Sequence, residues 1–172
     1  MLGPRIVELE AMPLLGCSFY GNPFAVNGEW NTDNEIGLLW KRFMREWGEH
    51  GALLDGLRTD DTCIELHLEG TDAAALGLFE VFAGLPVRNL ETVPPAFVGK
   101  VLPAGRYAVF TLEGAEITEE HQAEVTARLE ALHERLQRGF AFQRYDERFL
   151  GMERIDESQL DVYYPLVSDD RA

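Results

Sequence analysis

The chain has 172 residues, enough for one domain or for two small halves that share a core. Hydrophobic residues make up 46% and charged residues 26%, a balance that builds a packed interior and excludes bulk disorder. Fifteen basic against thirty acidic residues leave a net charge of -15, the wrong sign for neutralising phosphates; this argues against direct nucleic-acid binding and permits attraction of cations or of a basic protein.

The opening MLGPRIVELE reaches charge at once, without the apolar run of a signal peptide, and no stretch of about 18 apolar residues follows that could span a bilayer. A cytoplasmic protein that does not engage membranes is expected. Residues 5–20 (RIVELEAMPLLGCSFY) are rich in strand formers and end at Gly21, reading as one long strand or a bent, hairpin-like pair. Cys17 within it and Cys63 further on have no C-x-x-C spacing and read as reduced, packed thiols. A loop follows, in which Trp30 is placed to cap a pocket mouth. A helix is then predicted over residues 33–49, with Ile36, Leu39, Trp40, Phe43 and Trp47 at three- and four-residue spacing and Thr32 with Glu35 as a capping box. Two short strands follow, at 63–69 and 78–84.

After the proline-containing link ETVPP at 91–95, the same order recurs. Residues 97–113 (FVGKVLPAGRYAVFTLE) are strand-like with a Pro/Gly break. A second helix is predicted over 119–138 with Thr118 as N-cap and Val125, Leu129, Leu132 and Leu136 on one stripe. Strands at 141–147 and 160–166 complete it, and the tail SDDRA reads as frayed. The expectation is an α+β fold in a single domain, 1–172: two strand-helix-strand-strand repeats, about 4–90 and 96–167. An antiparallel sheet has its helices on one face, and a central cleft between the halves forms a natural small-molecule site.

Motifs for nucleotide binding, nucleophile elbows and zincins are absent from the sequence, so no cofactor and no metal site is called for. His121 and His133 lie too far apart along one helix to share a metal. Strand alternation puts Gln143, Tyr145 and Glu147 on one face and Asp161, Tyr163 and Pro165 on one face of the next strand. Taken together as one surface, these mix carboxylate, amide and phenol. Such a surface is either solvated or the lining of a pocket for an aromatic or cationic ligand.

The segments PRIVELEAMPLLGCSFYG, LLWKRFM, ETVPPAFVGKVLPAGRYAVFTLEG, FQRYDERF and LDVYYPL, in that order, resemble the gyrase-inhibitory-protein-like (GyrI-like) effector-binding domain family, over about residues 4–166. The same module resembles the drug-sensing part of AraC-type and MerR-type multidrug regulators. The resemblance implies a pseudo-two-fold fold of two strand-helix-strand-strand (SHS2-like) units and an aromatic cleft that binds lipophilic, often cationic, molecules. The separate helix-turn-helix domain of the family's DNA-binding members is not expected here. The family's helix Trp falls on Trp40 and its strand Tyr residues on Tyr145 and Tyr163. Its acidic position falls on Gln143, so either Glu147 supplies the counter-charge or the ligand is neutral. The expected ligand-binding set is Trp40, Phe82, Tyr107, Gln143, Tyr145, Glu147 and Tyr163. The resemblance leaves three functions open: a sensor or sequestering protein for a small molecule; a hydrolase of strained, electrophilic ring compounds with Glu147 and Tyr163 as candidate catalytic residues; or an acidic module that meets a protein partner such as gyrase or a regulator.

Overall fold

The computed structural model describes residues 1–23, 33–70 and 77–168; Trp30, Thr32 and the last four residues of the tail lie outside them. Eight strands form one antiparallel sheet: β1 (Leu2–Leu9), β2 (Met12–Gly21), β3 (Cys63–Leu68), β4 (Phe79–Pro86), β5 (Val98–Leu102), β6 (Gly105–Glu113), β7 (Phe140–Tyr145) and β8 (Gln159–Pro165). Their order is β1-β6-β8-β7-β3-β4-β2-β5. Thus β2-β4-β3 from the first half abuts β7-β8-β6 from the second, joined through β3 and β7. The 5–20 segment is two strands, as a bent pair requires, but they do not form a hairpin: β1 pairs β6, whereas β2 pairs β4 and β5. In the same way β5 leaves β6 and pairs β2, so each half takes its outermost strand from the other.

Cross-strand partners settle the faces. Starting from Cys17↔Ala83 and following Ala83↔Glu65, Glu65↔Gln143, Gln143↔Val162 and Val162↔Phe110 places all six on one face. Both helices pack on that face. α1 (Glu35–Leu57) buries Ile36, Leu39, Phe43 and Leu54 against Leu15, Cys17, Val81 and Leu85, while α2 (Gln122–Ala131) buries Val125 and Leu129 against Ala108 and Phe110. The opposite face holds one apolar cluster that includes Leu14, Leu66, Phe82, Tyr107, Phe142 and Tyr163, with Val7 and Leu102 from the two edge strands. Among the described residues no helical side chain belongs to this cluster, yet Phe82 and Leu14 are fully buried in it. Gly16 and Gly84 face each other beneath the Phe82 ring, and a Cβ on either would come within 2.7 or 2.6 Å of its Cζ. Only bare backbone fits there.

The helices depart from their predicted bounds. α1 runs past its predicted end at residue 49, leaves helical geometry at His50, and continues because Leu54 is buried in the core. Its N-cap is Asn34, whose Oδ1 accepts from the Gly37 N–H at 2.9 Å. α2 is half the predicted length. A 3-10 turn (Gly114–Thr118) precedes it, His133 adopts φ 58° beyond it, and Leu136 leaves the helix path to bridge Leu166 of the sheet. Leu132, predicted on the apolar stripe, is exposed. Among the described residues no helix is long and apolar enough to cross a membrane.

Candidate functional site

A cleft of about 600 Å³ opens between the first turns of α1, β3, the end of β7 and the 3-10 turn Met152–Glu157. Its inner wall is Glu65, which alternation puts on the helix-covered face with Cys63 and His67 while Ile64 and Leu66 point into the apolar cluster. Glu65 is 1% exposed. A carboxylate so placed needs donors. The Trp40 indole N–H donates to Oε2, His67 Nε2 lies 2.7 Å from Oε1, and the Tyr145 hydroxyl stands 3.5 Å from Oε2. The β3–β7 register, Cys63↔Tyr145 and Glu65↔Gln143, brings the phenol to the carboxylate.

Three aromatic rings surround this carboxylate. Trp40 and Tyr145 meet edge to face with centroids 5.1 Å apart, and Tyr145 and Phe149 do so at 4.8 Å. Ile36, Met44 and Met152 add apolar and thioether surface at the mouth. Lys41 also borders the cleft, but its Nζ is held 3.1 Å from the Asp33 carboxylate. Burial, and after it the nearby Glu65 charge, pushes the Tyr145 phenol well above its ordinary value. It therefore remains a donor at neutral pH. Burial, and after it the Asp60 carboxylate, raises the Cys63 thiol to about 11.

Of the residues expected from sequence, Trp40 and Tyr145 line this cleft together. Gln143 stands behind Tyr145, its Oε1 accepting from the phenol at 2.6 Å, and borders a neighbouring cavity. The counter-charge sought at Glu147 is not on the strand face, because β7 ends at Tyr145 and Glu147 is exposed in the turn beyond. Phe82, Tyr107 and Tyr163 lie on the opposite face. The register Phe142↔Tyr163 and Arg144↔Asp161 puts Tyr163 and Asp161 across the sheet from Gln143 and Tyr145, correcting the single mixed surface read from alternation. Tyr163 stacks on Phe142 at 4.4 Å, and the Tyr107 hydroxyl donates to the Pro103 carbonyl at 2.7 Å. Alternation fixes the two faces of each strand, while the phase between neighbouring strands comes only from their register. Glu65, Cys63, Phe149 and the two methionines were not in the expected set. For Glu65 the signal was present, a carboxylate inside the apolar run CIELHLE.

The model of the Cass2 family, integron-associated effector binding proteins, matches residues 5–166. The chain belongs to this family. Its Cass2-family fold is similar to that of SAV2435 bound to tetraphenylphosphonium, with a TM-score of 0.68 at 14% identity over 97% of this chain and 95% of that one. It is also similar to an integron cassette protein from the mobile metagenome of Vibrio cholerae, with a TM-score of 0.55 at 17% identity over 96% of both chains. In sequence this Cass2-family chain is 30% identical, over 94% of its length, to the transcriptional regulator BrlR of Pseudomonas aeruginosa, and spans 54% of that regulator. Family membership makes the chain a GyrI-like effector-binding domain with an α+β fold.

Proposed function

We propose that the cleft over Glu65 binds a lipophilic organic cation, and that the protein acts as a sensor or sequestering agent for such compounds. The observation that carries this reading is a buried carboxylate held by the Trp40 indole N–H and faced by the Tyr145 hydroxyl at 3.5 Å, both residues being aromatic walls of the cleft. A charge fixed in place and screened from water attracts a cation far more strongly than a surface carboxylate does. The ring faces add cation–π attraction, and the thioether and aliphatic mouth accepts apolar substituents. That SAV2435 was solved with tetraphenylphosphonium supports the ligand class. The neutral Gln143 does not oppose it, since the carboxylate stands on the paired strand.

The test compares methyltriphenylphosphonium with neutral triphenylphosphine oxide by thermal shift and tryptophan fluorescence. The cation is expected to stabilise the protein, by about 2.7 kcal/mol at 100 times its Kd. Glu65→Gln should weaken the cation at least about tenfold and leave the neutral compound unaffected. Equal affinity for both compounds in the native protein would overturn the reading.

One observation favours a second reading, hydrolysis. The Tyr145 hydroxyl lies 3.5 Å from Glu65, the phenol–carboxylate pair that acid–base chemistry needs, whereas Glu147 is exposed in the turn beyond β7 and Tyr163 lies on the opposite face of the sheet. Product analysis after incubation with electrophilic ring compounds, in native protein and Glu65→Gln, decides it; unchanged compounds in both would dismiss it.

A further inference from the structure

On the other side of the Glu65–Gln143 rung the same face of the sheet carries a second cavity, of about 660 Å³. It is bordered by β7 and by the end of β3. The residues beyond the short α2, at 136–139, run along its rim, where the predicted continuation of the helix would have covered the strands.

Its chemistry differs from that of the first cavity. Three carboxylates line it, Glu69, Glu119 and Glu120, against one guanidinium, Arg138. Two imidazoles join them. His67 Nε2 is engaged with Glu65 Oε1 at 2.7 Å, and His121 Nε2 with the Glu116 carbonyl at 2.7 Å. A neutral imidazole that donates through Nε2 keeps Nδ1 as an acceptor. Phe79, whose ring packs against His67, and Tyr164, on the same face as Val162, supply aromatic wall. A cavity rich in acceptors and negative charge over aromatic carbon suits a flat organic cation that itself bears N–H donors, whereas the first cavity offers such donors little beyond Glu65.

We propose that this second cavity is a separate binding site for N–H-bearing organic cations, amidinium or primary ammonium groups on an aromatic body, coupled to the first cavity through the His67–Glu65 bond. Glu65 lines the first cavity, and His67, bonded to its Oε1, lines the second. A cation on either side lowers the negative potential that the other experiences, so the coupling is unfavourable and reciprocal. The coupling rests on the function proposed for the Glu65 cleft, while the second site stands on its own lining.

The probe is benzamidine, titrated into the full chain by calorimetry, with tetraphenylphosphonium and tryptophan fluorescence reporting on the first cavity. The test variant is Glu119→Gln/Glu120→Gln, two exposed positions outside the first cavity. Benzamidine should bind the native protein, and the double variant should weaken it at least about threefold while tetraphenylphosphonium binds as before. Saturating benzamidine should raise the Kd of tetraphenylphosphonium to a plateau of about fivefold. The proposal is overturned by absence of benzamidine binding, by equal binding in the double variant, or by inhibition that grows without a plateau, which would put both compounds in one cavity. Failure of tetraphenylphosphonium to bind would sink the function proposed for the cleft, yet leave the effect of the double variant on benzamidine readable.

Discussion

Cys63 shares its strand face with Glu65 and borders the same cleft, and its thiol is held at about 11 by burial and by Asp60. The thiolate is the reactive form, so at pH 8 Cys63 should react with iodoacetamide roughly a hundredfold more slowly than an unperturbed cysteine, and more slowly again when the cleft is filled. Peptide mapping over time checks this; labelling at the rate of a free thiol would contradict it. The same displacement has a consequence for stability. Between pH 9 and about 11 the unfolded chain releases the thiol proton while the folded chain keeps it, so the unfolded state binds fewer protons and stability falls as pH rises. Tyr107, Tyr145 and Tyr164, all raised by burial, add in the same direction at higher pH. Melting curves from pH 8 to 10 should therefore decline less steeply for Cys63→Ala than for the native chain. What sequence alone revealed at this scale was uneven. Trp40 and Tyr145 are legible through the family resemblance, and Glu65 is visible as a carboxylate in an apolar strand. That Glu65 meets Tyr145 depends on pairing between β3 and β7, across 80 residues of chain, and no local pattern encodes it.

At the scale of elements, strands were read more accurately than helices. β3, β4, β7 and β8 begin and end within two residues of their predicted limits, because alternation and flanking turn residues are local signals. Helix ends are decided by what the next residues can bury or pair with: Leu54 extends α1, and Leu136 abandons α2 for the sheet. The start of α1 is set by Asn34, which is buried and satisfies the Gly37 N–H. Asn34→Ala leaves that donor without its side-chain acceptor and should cost about 1 kcal/mol, read as a lowered urea midpoint with unchanged slope. Asn34→Ser, which retains an acceptor at the cap, should recover most of it. Equal midpoints for the alanine variant and the native chain would show that the first turn is held by its packing alone. Because α1 supplies Trp40 in its second turn, the alanine variant should also weaken cation binding in the cleft.

For the whole molecule, composition and the order of elements were enough to name an antiparallel α+β fold, but not the order of strands in the sheet. β1 and β2 are neighbours in sequence and occupy opposite ends of the sheet, as do β5 and β6. This exchange has an energetic consequence. If β2, β4 and β3 melted first, β5 would lose its only partner, and β7 would lose one of two. If β6, β8 and β7 melted first, β1 would be stranded in the same way. The shared apolar face compounds the coupling, since Leu14, Phe82 and Leu66 from one half bury Tyr107, Val109, Phe142 and Tyr163 from the other in one cluster. Each half has a helix-covered cluster of its own, but loses this one when the other melts. Unfolding in urea should therefore be a single transition in which tryptophan fluorescence, which includes Trp40 and Trp47 of α1 beside Trp30, coincides with near-ultraviolet dichroism of the tyrosines on β6, β7 and β8. Two separated midpoints, with the tryptophan signal lost before or after the tyrosine signal, would mean that the halves hold together on their own and that the exchanged edge strands contribute little to stability. A Val7→Ala substitution sharpens the test. It lies on β1, packs into the shared cluster, and should lower both midpoints equally, by a destabilisation of about 1–2 kcal/mol, although no tryptophan is near it in sequence.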